Sequence, residues 1–144
     1  MKKTINDVKI LEFQELGDER GRLVVGECGK EIPFIVKRVF YIYGSDSTVV
    51  RGRHANRKSE FILVNVAGRS KVDVEDIYGE KKTFLLDRPH MGLYLPKLIW
   101  KDMYEFSADS VLLCMSNELY DAQEYIRNYE DFRMLRNMRD VVHS

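Results

Sequence analysis

The 144-residue chain has only two cysteines, three prolines and one tryptophan, and its 23 Lys and Arg are matched by 23 Asp and Glu. Each shortage excludes something. Two isolated cysteines, Cys28 and Cys114, make neither a disulfide scaffold nor a zinc site. A formal net charge of zero lacks the basic excess of a nucleic-acid binder, so any bound anion must be held by a local cluster of cations. No apolar run approaches the ~20 residues of a membrane span. The stretch Met1–Asp7 has no apolar core of the secretory type. The expectation is a reduced, cytoplasmic protein without a membrane or nucleic-acid partner. What is present, 44% hydrophobic and 32% charged residues, suits one globular domain over 1–144. A chain of this size buries about two-thirds of its unfolded surface and needs no metal or disulfide to fold.

The hydrophobic pattern divides that domain into a barrel (1–116) and a helical tail (117–140). Leu23-Val24-Val25 follows the turn signal Gly17 to Gly21. Phe34-Ile35-Val36 leads into Val39 to Tyr43, rich in β-branched and aromatic residues. Phe61–Val66, Ser70–Glu75, Thr83–Leu86, Gly92–Leu95 and Ser110–Met115 complete a set of short strands without intervening helices. That pattern is all-β, a sandwich or barrel. From Asn117 the apolar residues Leu119, Ala122, Tyr125, Ile126, Tyr129, Phe132 and Leu135 recur every three or four positions, which predicts a helix. Arg133, Arg136 and Arg139 on it read as a solvated face, because acidic residues are interspersed.

The stretch Arg51-Gly52-Arg53-His54-Ala55-Asn56-Arg57-Lys58-Ser59-Glu60, running on to Gly68, carries the chemistry. On a strand His54 and Asn56 share a face. The stretch resembles the first cupin motif, and Gly92-Leu93-Tyr94-Leu95-Pro96 with Trp100-Lys101 resembles the second. A cupin metal takes about three imidazoles and a carboxylate. Here Asn56 and Lys101 stand in place of imidazoles, and neither His90 nor His143 restores the set. An amide is a poor ligand and an ammonium repels a cation, so no metal is expected. A metal-free cavity with one imidazole suits proton transfer, since His titrates nearest neutrality. Moving a carbonyl along a carbon chain needs such a base and donors for the enediol oxyanion. Lys101, Tyr41 and Arg20 are the candidate donors. The alternative for His54 is an ordinary hydrogen-bonded strand histidine.

Several blocks together then resemble one family. They are Ile32 to Ile42, Arg51-Gly52-Arg53-His54-Ala55, Gly92-Leu93-Tyr94 with Trp100, and Tyr125 to Phe132. The family is that of cupin-type dTDP-4-keto-6-deoxyglucose 3,4-ketoisomerases of deoxyaminosugar biosynthesis, and the likeness spans roughly residues 8 to 133. It implies a cupin jelly-roll β-barrel, a homodimer exchanging an N-terminal strand, and no cofactor. It implies a dTDP-linked 4-keto-6-deoxy sugar as substrate and a 3-ketone ready for transamination as product. His54 matches the family's base. Asn56 stands where members usually have a second His, and Lys101 where they carry His or Arg. Arg20 matches a position that differs between galacto- and gluco-forming members and points to the galacto product.

Around that site, Arg38 and Arg51 are candidates for a diphosphate or for surface charge. Tyr41, Tyr94 and Trp100 either stack on thymine and sugar or fill the core. Glu60 either orients a substrate hydroxyl or forms a strand salt bridge. The competing function is a non-catalytic, metal-free cupin module that binds a sugar nucleotide.

Overall fold

The computed structural model describes residues 2–138 and is an antiparallel jelly roll. Its strands are β1 (Lys9–Glu12), β2 (Gln14–Asp18), β3 (Gly21–Val25), β4 (Arg38–Ile42), β5 (Arg51–Asn56), β6 (Phe61–Ala67), β7 (Ser70–Glu75), β8 (Lys81–Leu86), β9 (Met91–Leu95), β10 (Trp100–Tyr104), β11 (Val111–Ser116) and β12 (Tyr125–Ile126). One sheet has the order β1-β9-β6-β11-β4, the other β12-β5-β10-β7-β8, and β2–β3 is a separate hairpin. The all-β expectation therefore holds.

Alternation along the strands builds the interior. Phe61 and Leu63 on β6, Leu93 and Leu95 on β9, and Leu112 and Cys114 on β11 face Val72 and Val74 on β7 and Met103 on β10. Each such apolar side chain contributes roughly 1.5–3 kcal/mol on burial. The other face of the first sheet is covered in part by Phe13 and Ile32, which pack on Ile62 and Val64.

The tail departs from its predicted helix. Residues Ala122–Glu124 form a 3-10 turn, Tyr125–Ile126 pair with Asn56 and Ala55 as β12, and the α-helix, α1, spans only Tyr129–Met134. A second 3-10 turn follows at Leu135–Asn137. The cause is tertiary. The loop after β5 binds Glu124 through its backbone, with Arg57 N–H donating to the Glu124 carbonyl (2.8 Å) and Lys58 N–H to its carboxylate (2.9 Å). These bonds hold 122–126 extended against β5, and Asn128 then starts α1 by capping the Asp131 N–H at 2.9 Å. Phe132 of α1 nevertheless packs under Ala55, Ile77 and Ile126, so the apolar spacing did mark burial. The remainder of the predicted tail, residues 139 and 140, and His143 lie outside the described residues. Phe34–Val36 is irregular chain leading into β4, whereas β1 and β2 are strands without a sequence expectation.

Candidate active site

A cavity of about 130 Å³ opens inside the barrel, lined by polar Arg51, His54, Lys101 and Tyr125 and by apolar side chains such as Phe40, Phe61 and Met103. Its chemistry begins with a distortion of β5. Opposite Lys101 and Asp102 of β10 stand His54 and Gly52, so Arg53 is an extra, bulged residue. Gly52 has φ +90° and Arg53 φ +56°. A Cβ on residue 52 would lie 2.8 Å from the Lys101 carbonyl oxygen, so only glycine fits there. The bulge turns the Gly52 carbonyl toward the His54 ring, where Nδ1 lies 3.0 Å away. A carbonyl only accepts, so Nδ1 carries the proton and Nε2 keeps its lone pair. Burial, reinforced by the nearby Lys101 charge, pushes the His54 pKa down to about 4, so the ring is neutral at physiological pH. Tyr125 packs on it, with ring centroids 4.8 Å apart.

Lys101 is the second titratable wall. It is buried, its Nζ donates to Asn56 Oδ1 at 3.0 Å, and it lies 5.1 Å from the centre of the Phe61 ring. Burial lowers its pKa to about 7, against the opposing pull of Glu124. Asn56 donates in turn from Nδ2 to Glu124 at 2.6 Å. The Glu124 carboxylate also accepts from Ser59 Oγ (2.6 Å), Ser59 N–H (3.1 Å) and Lys58 N–H (2.9 Å). Burial opposes its ionisation, yet these bonds outweigh that cost and keep its pKa below the ordinary glutamate value. Cys114 on the cavity wall stays a thiol, because burial raises its pKa to about 12.

Arg38 stands beside this cavity, boxed by the rings of Phe40, Phe61 and Tyr120 at 5.6–5.7 Å, with Nη1 3.5 Å from the Tyr125 hydroxyl. Its Nε and Nη2 are buried without a partner among the described residues. Such donors are costly to leave unmade and suit a bound anion.

The predicted site residues thus separate. His54, Lys101 and Arg51 line the cavity, Asn56 sits behind Lys101, and Arg38 borders it. Tyr41 lies on the opposite face of β4 from Phe40 and Ile42, 62% exposed and against Tyr43. Arg20, at the tip of the β2–β3 hairpin, pairs with Asp18 at 2.7 Å. Trp100, one residue from Lys101 and so on the other face of β10, packs on Tyr129 and Phe132. Tyr94 donates to Glu60, which also accepts from Asn117 at 3.0 Å; the pair lines a different cleft. Within one chain, then, Tyr41, Arg20, Trp100, Tyr94 and Glu60 are not brought to the His54 cavity. Glu124 and Tyr120 had no signal in the sequence, and Tyr125 stood out only as an apolar position of the predicted helix and as the start of a family block. Among the described residues no three His, Cys, Asp or Glu side chains converge as a metal would require.

A jelly roll with a neutral imidazole and a buried amine in its cavity defines a class, the cupin barrels. The particular family follows from comparison with known proteins. Residues 6–137 match the family model described as FdtA (WxcM-like, C-terminal). The TDP-4-oxo-6-deoxy-alpha-D-glucose-3,4-oxoisomerase of Aneurinibacillus thermoaerophilus is 39% identical over 127 residues, 87% of this chain and 89% of that protein. The TDP-fucose-3,4-ketoisomerase WlaRA of Campylobacter jejuni has a crystal structure that superposes with a TM-score of 0.85 at 38% identity, covering 91% of this chain and 96% of that one. A His-to-Asn variant of the 3,4-ketoisomerase QdtA of Thermoanaerobacterium thermosaccharolyticum, in complex with TDP-4-keto-6-deoxyglucose, superposes with a TM-score of 0.86 at 33% identity, covering 90% and 93%. The chain belongs to this family of cupin-type sugar-nucleotide 3,4-ketoisomerases, which are isomerases.

Proposed function

We propose that the protein converts dTDP-4-keto-6-deoxy-D-glucose to the dTDP-3-keto-6-deoxyhexose of galacto configuration, using His54 as the base. The observation that carries this reading is the Gly52 carbonyl at His54 Nδ1, which leaves Nε2 free to accept a proton inside the cavity. In the first step the C3 proton passes to Nε2 and the C3–H electron pair forms the C3=C4 bond. Charge collects on O4, where the Lys101 ammonium stabilises it. In the second step the O3 proton is lost, O3 becomes the carbonyl, O4 is protonated and C4 accepts a proton. No hydride or electron leaves the sugar, so no redox cofactor is required. Arg38 and Arg51 suit the diphosphate, whose negative charge also makes His54 more basic on binding.

Arg20 supports the galacto product only through its place in the family pattern, and from the hairpin it reaches a cavity only across a subunit boundary. A homodimer is part of the proposal. The outer face of the first sheet leaves Val39, Tyr41, Tyr43 and Val66 exposed, and the hairpin leaves Leu16 and Leu23 exposed. The 3-ketone would then serve a transaminase making a 3-amino-3,6-dideoxy sugar. Incubating the purified protein with dTDP-4-keto-6-deoxyglucose and following the sugar by NMR tests the reaction. The expected result is a 3-ketone with an axial C4 hydroxyl. An unchanged 4-ketone would leave a sugar-nucleotide-binding module, and an equatorial hydroxyl would reverse the stereochemistry.

A further inference from the structure

Glu124 lies outside the cavity, on a turn of the tail, and its carboxylate is buried with four hydrogen bonds from β5 and the loop that follows it. Three of the four, from Ser59 and Lys58, anchor the tail. The fourth points the other way, toward the chemistry. A carboxylate accepts only, so the Asn56 amide must turn its NH₂ toward Glu124. That leaves Oδ1 no choice but to face Lys101, and the amine donates to it at 3.0 Å. The amide therefore acts as a polar spacer that holds the lysine nitrogen beside the His54 wall, with its remaining hydrogens free for an oxygen in the cavity.

We propose that Glu124 is a positioning residue of the isomerisation, acting through Asn56 to fix the place and the charge of Lys101. The inference rests on the ketoisomerase reading for its kinetic part only. Coulomb attraction through a buried path favours the ammonium, and the amide oxygen accepts from it. The groups facing Lys101 are few. His54 approaches from β5, Cys114 from β11 and Glu124 from the tail, with Arg38 and Arg51 at the edge of the cavity; on β7 its neighbour Val74 carries no charge. Glu124 is thus the one carboxylate in the set, and burial is what opposes protonation of the lysine.

The experiment uses the full chain and reads the Lys101 Nζ titration by ¹⁵N NMR, without substrate, beside the pH dependence of kcat. Glu124→Gln is expected to move the lysine titration and the basic limb of kcat to lower pH. It should lower kcat above neutrality by on the order of 10²-fold while changing KM little, as for a displaced catalytic group. The double variant Glu124→Gln with Asn56→Asp returns a carboxylate to the path, now next to the lysine, and is expected to bring the titration back up. Asn56→Ala leaves the Ser59 and Lys58 anchors of Glu124 in place, and it should shift the lysine in the same direction as Glu124→Gln even if that variant folds poorly. An unmoved lysine titration in folded Glu124→Gln or Asn56→Ala would overturn the proposal and leave Glu124 as a tail anchor. Failure of the wild-type protein to turn over the keto sugar would instead sink the ketoisomerase reading, since the NMR titration needs no turnover.

Discussion

At the scale of single residues, the site depends on two groups held away from their ordinary charge states. His54 is neutral because its ring is buried beside a cation, and one backbone carbonyl decides which nitrogen keeps its lone pair. Lys101 is half-charged near neutrality because it is buried. The proposed reaction needs neutral His54 and charged Lys101, so the two define a window. On the acid side kcat/KM falls as pH drops through about 4, where the imidazole takes a proton. On the basic side it falls as pH rises through about 7, where the amine loses one. A profile of kcat/KM from pH 3.5 to 9 checks this, and activity still rising above pH 8 would show that the charged lysine is not required. These positions were only partly legible beforehand. The His-x-Asn spacing and the lysine of the second motif could be read as a single site. The low pKa values could not, because they arise from burial that no local window of sequence displays.

At the scale of elements, the bulge in β5 does what a regular strand cannot. Ordinary pleating would turn the Gly52 carbonyl into the ladder with β10; the Gly52–Arg53 kink frees it for the imidazole. Gly52→Ala is expected to fail in two ways. A Cβ at φ +90° costs about 1–2 kcal/mol by itself, and it would strike the Lys101 carbonyl at 2.8 Å. Relieving that contact shifts β5 and β10 together and so moves both His54 and Lys101. Turnover should fall by ~10² or more, with a lower melting temperature; wild-type kinetics would show that the bulge does not place the base. The tail teaches the opposite lesson about legibility. The residues Leu119 to Leu135 have helical spacing, but Tyr125 and Ile126 became a strand because β5 offered an open edge and the loop at 57–59 held Glu124. Periodicity marked burial at Ile126 and Phe132 but not at Leu119, which is 70% exposed, and it missed the conformation, since only the folded barrel presents that edge.

For the whole molecule, one barrel accounts for the cavity but leaves an uncovered apolar face. Tyr41 of β4 stands opposite Leu113 of β11, and Val39 opposite Met115. With Val66 and the hairpin they form a surface suited to a second copy of the chain, which would bring a partner's hairpin within reach of the cavity. Light scattering should give twice the chain mass for the wild type, and Tyr41→Glu, which puts a charge on that face, should give a monomer. A monomeric wild type would remove the dimer and with it any part for Arg20 at the site. The all-β class, a sandwich or barrel, was readable from the spacing of the strands and turns, and the jelly roll came with the family resemblance. The β1 and β2 strands were not, because their residues alternate little and remain largely exposed in the single chain.

The base itself is tested most directly by hydrogen exchange. In D₂O the wild type should place deuterium on the reacting sugar carbons, while His54→Asn, still binding dTDP, should exchange at least a hundredfold more slowly, the lower end of the ~10²–10⁴ that general-base help supplies. Exchange in His54→Asn at the wild-type rate would contradict the account.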